Sequence, residues 1–168
     1  MSTAVEPDLG RRFRHAAGRF PTGVTVLSTV EDGLPCGMTV SSFTSISLDP
    51  LLVLVSLGNG SRTCERIRRS GVFAVTVLAD AQQEVARWFA GRVRPDGAGA
   101  FDGIPWRPAP HSSAPILTDG VSFFDCAVEQ VHAAGDHTVV IGAVRAFDVL
   151  SDRPPLLFVR SRFGRLTE

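Results

Sequence analysis

The chain has 168 residues, 44% of them hydrophobic and 20% charged, which suits one globular domain, or one that completes itself by dimerising. Seventeen basic and seventeen acidic residues cancel, and without long blocks of like charge there is neither a nucleic-acid footprint nor a membrane-binding stripe. Every basic residue is arginine, which excludes a Walker-type phosphate lysine and Schiff-base chemistry such as covalent pyridoxal phosphate.

The first element is a helix over 8–18, with Asp8 as cap, Leu9, Phe13 and Ala16 or Ala17 on one face, and Gly18 as stop. Phe20-Pro21-Thr22-Gly23 turns the chain into a β-branched strand over 24–30; Glu31-Asp32-Gly33 is a hairpin turn, and the chain returns through 34–43. Asp49-Pro50 precedes a strand over 51–57, Gly58-Asn59-Gly60 breaks it, and Ser61 caps a helix over 61–69. A strand follows over 72–78, then a helix over 81–90 capped by Asp80, which brings Val85, Trp88 and Phe89 towards the core.

Residues 91–115 are rich in Gly, Pro and Ala and read as a long loop, either a functional lid or partner contact, or a loose connection with Phe101 and Trp106 as anchors. Two long β-rich runs, 121–133 and 138–150, flank Ala134-Gly135-Asp136-His137, and a last strand covers 156–160. Six or seven strands joined mostly by tight turns, with three helices, predict a mainly β, antiparallel barrel in one domain over 1–168.

Strand, Gly turn and helix start together make an anion site. Free N–H groups and the positive end of the helix dipole favour a phosphate, with Ser61 and Thr63 as hydroxyl donors and Arg62 as a charge; the alternative is that Ser61 merely caps the helix. A dinucleotide fingerprint would need a small residue where Thr63 stands, and Asp80 lies at a ribose-contact distance, but one strand–helix–strand unit does not make a doubly wound sheet. No Gly-x-Ser-x-Gly elbow occurs, and His111 beside Ser112 and Ser113 has no evident orienting acid. Cys36, Cys64 and Cys126 are widely spaced and read as reduced, mostly buried thiols; with His15, His111, His132 and His137 they offer no metal-ligand spacing. The apolar runs are too short to span a membrane and residues 1–10 lack a leader pattern, so a cytosolic protein is expected.

Five blocks carry a resemblance: Phe20 to Val26, Gly37 to Pro50, Ser61-Arg62-Thr63, Gly135-Asp136-His137, and Arg160 to Leu166. Over nearly its whole length the chain resembles the short flavin reductases of two-component monooxygenases, the flavin reductase-like family with an FMN-binding split β-barrel. Where that family commonly has Ala-Asn-Ser, this chain has Val40-Ser41-Ser42, a hydroxyl in place of a side-chain amide. The resemblance implies that Thr39, Val40, Ser41 and Ser42 line the isoalloxazine of FMN or FAD, and that Ser56 and Leu57 lie beneath the ribityl chain. Ser61, Arg62 and Thr63 would hold the phosphate. Gly135 and Asp136 would border the ring, His137 would contact the nicotinamide of NADH or NADPH, and Phe163 would approach the flavin pocket or close the core.

The implied reaction is hydride transfer to a flavin that then leaves for a separate monooxygenase component, with a homodimer as the working form. A barrel oxidase with tightly held flavin and a non-catalytic flavin binder are the other two readings.

Overall fold

The computed structural model describes residues 7–167; the part of the 1–10 leader reading that precedes residue 7 lies outside them. Among the described residues are helices α1 (Pro7–Ala17), α2 (Arg62–Ser70) and α3 (Gln83–Ala90). The strands are β1 (Thr22–Gly23), β2 (Thr25–Glu31), β3 (Leu34–Val40), β4 (Thr44–Leu48), β5 (Leu51–Gly58), β6 (Val72–Val77), β7 (Trp106–Pro108), β8 (Pro115–Leu117), β9 (Ser122–Ala134), β10 (His137–Val149), β11 (Leu157–Val159) and β12 (Arg162–Gly164).

Seven strands form one antiparallel sheet in the order β3-β2-β6-β9-β10-β5-β4. Laid flat, five inter-strand steps of about 4.8 Å would separate β3 from β5 by roughly 24 Å. Yet Val40 of β3 shares one buried cluster with Val53 and Val55 of β5, together with Leu27, Phe73, Val75, Cys126 and Val140. The sheet therefore curls around its own core as a barrel, and α2 closes one side with Cys64 and Ile67. Alternation along β5 follows from this curvature: Val53, Val55 and Leu57 point inward and are buried, while Leu52, Leu54 and Ser56 are half-buried on the other face.

A second cluster beneath α3 joins Val24, Val26, Leu78, Phe89, Phe101, Leu117 and Leu156. It organises the 91–115 segment, which is not a bare loop. Gly97–Phe101 is a 3-10 turn whose Phe101 stacks at 5.1 Å from Phe89 and 5.7 Å from Trp106, and β7 pairs with β8. The two aromatics act as the anchors one of the two readings named.

Four expectations need correction. Helix α1 starts at Pro7, so Asp8 lies in its first turn and does not cap it. Asp80 is likewise inside a turn, Asp80–Gln82, that leads into α3; Gln82 Oε1 accepts from the Ala79 N–H at 2.9 Å, while the Asp80 carboxylate lies 3.6 Å from Arg165. The strand expected through Phe43 ends at Val40, because Ser42 turns aside to bond β5. The described residues also contain twelve strands, not six or seven: β1, β7, β8 and β12 are pieces of two or three residues that leave no periodic trace, and the five-residue β4 falls within the Ser-rich stretch before the Asp49-Pro50 turn.

Candidate functional site

The β9–β10 hairpin places the first component. Its two 13-residue strands are joined by Gly135-Asp136 alone, with Gly135 at φ +64°, the first turn position that a type II′ hairpin reserves for glycine. Strand β10 also pairs with β5, and the register sets His137 opposite Gly58. Asn59 locks the two turns together: its N–H donates to Asp136 O at 2.9 Å, its amide to Gly135 O at 3.1 Å, and its Oδ1 accepts from Thr138 at 2.8 Å.

The Asp136 Oδ1 accepts a hydrogen bond from His137 Nδ1 at 2.7 Å, and this bond holds the Asp136 carboxyl below its ordinary range. With Nδ1 committed to Asp136, Nε2 is the ring nitrogen left to meet a ligand.

A cavity of about 280 Å³ opens beside His137, lined by Thr39, Val40, Ser41, Ser42, Ser56, Leu57 and Gly58. The structure thus gathers the four residues expected to line a flavin ring, the two expected beneath its ribityl chain, and His137, expected at the nicotinamide. The Ser42 hydroxyl is already occupied: it donates to Ser56 O at 2.8 Å and accepts from Ser56 N at 2.9 Å, extending the sheet past the end of β4. Its single proton is spent on that strap, so towards a ligand its side chain can only accept. The Thr39 hydroxyl likewise donates to Ala86 O at 2.7 Å and ties β3 to α3.

A larger cavity of about 570 Å³ shares Met38, Thr39 and Gly58 with the first and continues over Asn59, Gly60, Ser61, Arg62 and Thr63 to the end of α3. Ser61 does cap α2, its Oγ accepting from Cys64 N at 3.2 Å, with Gly71 closing the other end at φ +72°. Capping does not use up the helix start, however. Among the described residues the N–H groups of Arg62 and Thr63 have no recorded acceptor, which leaves two donors at the positive end of the dipole. A Cβ built at Gly58 or Gly60 meets no atom within 4 Å, so that space is open to a ligand. The residues present therefore fit a phosphate-bearing flavin.

Several site residues behave differently from expectation. The Thr63 hydroxyl is buried 3.2 Å from Cys36 Sγ, so only its backbone faces the anion site. Arg62 is held by Asp96 at 2.9 Å. Gly135 and Asp136 border the small cavity through His137 and do not line it. Phe163 lines neither cavity; it is partly buried 5.5 Å from Phe158 with Arg87 over its ring, against the cluster beneath α3 and outside the barrel core. Sequence reasoning did not single out Met38, Phe89, Arg92 and Arg94, and the approach of the last three depends on α3, which is distant in sequence from the Gly turn. Arg94 is spoken for, donating to Phe89 O at 2.7 Å, Trp88 O at 3.3 Å, Gly37 O at 2.9 Å and also Gly91 O; burial pushes its guanidinium below its ordinary value.

Comparison with known proteins agrees with this geometry. Residues 17–167 match the model of the flavin reductase like domain. The chain is 42% identical over 160 residues to the flavin-dependent monooxygenase reductase subunit HsaB of Rhodococcus jostii (strain RHA1), covering 95% of this chain and 78% of that one. It is 39% identical over 161 residues to an NADH-dependent FAD reductase of Streptomyces globisporus, covering 96% and 88%. The solved structure of the Streptomyces globisporus C-1027 NADH:FAD oxidoreductase SgcE6 superposes with a TM-score of 0.90 at 36% identity, over 100% of this chain and 99% of the other.

Proposed function

The chain belongs to the flavin reductase-like domain family, and from that premise we propose that it is an NAD(P)H-dependent flavin reductase serving a separate monooxygenase component. The observation that carries the reading is one groove with three fittings: the uncommitted Nε2 of His137, the strand surface of Thr39 to Ser42 facing Ser56, and the two unused N–H donors of α2.

When both ligands are bound, the nicotinamide supplies a hydride from C4 and the flavin accepts it at N5. The protein's part is to position and to exclude water. Backbone groups of Val40 and Ser41 orient the ring edge, the Ser42 strap keeps that edge in register with β5, and the Arg62 and Thr63 N–H groups hold the phosphate. His137 Nε2 meets the nicotinamide carboxamide, and its Nδ1 bond to Asp136 fixes the imidazole's orientation. No protein group needs to gain or lose a proton.

The moderate polarity of this open groove suits a flavin that must leave again. Single-domain organisation over 1–168 and a cytosolic location follow from the same reading, and a homodimer covers the apolar side chains a single copy leaves in water. Leu48 on β4 is 85% exposed and Phe13 on α1 73%, with Phe20, Phe147 and Val149 also open.

The test is steady-state kinetics on His137→Ala. The variant should lose about tenfold in kcat/KM for NADH, equivalent to ~1.4 kcal/mol, with flavin affinity unchanged. Equal losses for both ligands would mean that His137 shapes the groove and does not meet the nicotinamide.

A further inference from the structure

Asp96 stands where a carboxylate ordinarily caps. It precedes the 3-10 turn Gly97–Phe101 at the N-cap position, with φ −85° and ψ 158°, yet its side chain accepts nothing from that turn. Both oxygens go instead to α2: Oδ1 lies 2.9 Å from Arg62 Nη1, and Oδ2 lies 3.4 Å from Arg66 Nη2. The carboxylate is fixed from two directions. Its own turn is anchored by Phe101, 5.1 Å from Phe89, and the Arg66 side chain that meets it is only 13% exposed, held on its other side by Glu31 Oε2 at 3.7 Å from Nε. Arg62 is the loose member of the group: its side chain is 48% exposed and lines the larger cavity, which Asp96 does not. One guanidinium thus stands between a fixed carboxylate and any anion that enters beside the start of α2. While it stays with Asp96 its charge is offset, and that anion is met by the two N–H donors of α2 without it.

We propose that Asp96 is a positioning residue that sets how loosely the flavin is held: it competes with the flavin phosphate for Arg62, and so keeps the flavin a substrate that leaves after reduction. This inference rests on the flavin reductase reading and deepens it. Arg66 makes the exchange reversible. Because its guanidinium stays with Asp96 when Arg62 swings to the phosphate, the carboxylate is never left unpaired, and Arg62 leaves an exposed contact of small worth. When the flavin departs, Asp96 is still in place to take Arg62 back.

The experiment is equilibrium binding of FMN and of riboflavin, which lacks the phosphate, to the full chain, followed by flavin fluorescence. Wild type is compared with Asp96→Asn, whose amide oxygen still accepts from Arg66. An exposed ion pair shifts an equilibrium by up to about fivefold, and a phosphate monoester carries about −1.5 to −2 charges. Asp96→Asn should therefore bind FMN about fivefold more tightly, with a steeper salt dependence, and riboflavin within about twofold of wild type. In stopped-flow displacement FMN should leave the variant about fivefold more slowly. Asp96→Glu should restore loose binding. In an Arg62→Ala background the gain from Asp96→Asn should fall to within about twofold, since no guanidinium is left to release. Weaker or unchanged FMN binding by Asp96→Asn would overturn the proposal, as would equal gains for FMN and riboflavin, or a gain that survives undiminished in Arg62→Ala. Wild type that binds neither flavin would instead remove the flavin reductase reading itself.

Discussion

Alkaline titration probes one of the three buried thiols of this fold, Cys126. The chain has no tyrosine and no lysine, so between the ordinary cysteine and arginine ranges only cysteine side chains change charge. Cys126 on β9 is fully buried opposite Phe73 of β6, and desolvation, with a smaller contribution from neighbouring Asp125, pushes its thiol up to about 12 from an ordinary 9.0. The folded state therefore holds a proton that the unfolded chain releases. A raised folded value means the associated stability is complete below pH 9.0 and is lost as pH rises through about 12. At about 1.36 kcal/mol per unit, the unfolding free energy should fall by about 2 kcal/mol between pH 9.0 and about 10.5, and by about 4 kcal/mol at about pH 12. Against a typical total of about 5–15 kcal/mol, that removes a large share of the stability without by itself unfolding the protein. The assay is urea denaturation at several pH values, read by the fluorescence of Trp88 and Trp106. Cys126→Ala should start about 1–2 kcal/mol less stable at pH 8 through lost packing, but its stability should stay nearly level where wild type falls. Parallel slopes for the two proteins would refute the argument, because the alkaline loss would then belong to another group.

Three further substitutions separate structural roles from ligand-binding ones. Ser42→Ala removes both bonds to Ser56 and should cost about 1–3 kcal/mol in urea unfolding while raising the flavin KM; unchanged values would show that the strap does not hold the groove. Gly142→Ala places a Cβ 2.4 Å from Phe73 Cζ and 3.0 Å from Cys126 Cβ inside the barrel and should destabilise by about 1–3 kcal/mol, whereas Gly58→Ala meets nothing and should weaken flavin binding with stability intact. Thermal melts and flavin titrations on the pair would expose a swap of these outcomes.

The sequence made visible whatever depends on nearby residues. Alternating β-branched residues located β2, runs rich in β-formers bounded by turns located β5, β6, β9 and β10, and the Ser61 cap located α2, because each reports a local pattern or a terminal hydrogen bond. The resemblance located the groove: Thr39 to Ser42, Ser56, Leu57 and His137 converge on one small cavity, and Ser61 to Thr63 on the larger one. What stayed hidden depends on contact between distant segments. Thr63 looked like a free hydroxyl donor, but the packing of α2 on β3 turns it to Cys36. Phe163 sat in a suggestive block, yet β12 pairs with β11 and draws the ring against the cluster beneath α3. Arg92 and Arg94 lay in a stretch that read as loop, whereas they follow directly on the end of α3, whose last carbonyls Arg94 covers beside the groove. Asp80 and Asp8 looked like caps because acidic residues favour both the cap and the first turn, and composition does not separate the two.

The most direct test of the central claim is NADH and NADPH oxidation by the purified protein under anaerobic conditions, with no flavin, with FMN and with FAD, followed by ultrafiltration to find where the reduced flavin resides. The account predicts saturable, multiple-turnover oxidation that requires added flavin, with the reduced flavin recovered in the protein-free filtrate. No oxidation with any pair, or reduced flavin retained at one equivalent per chain, would contradict it.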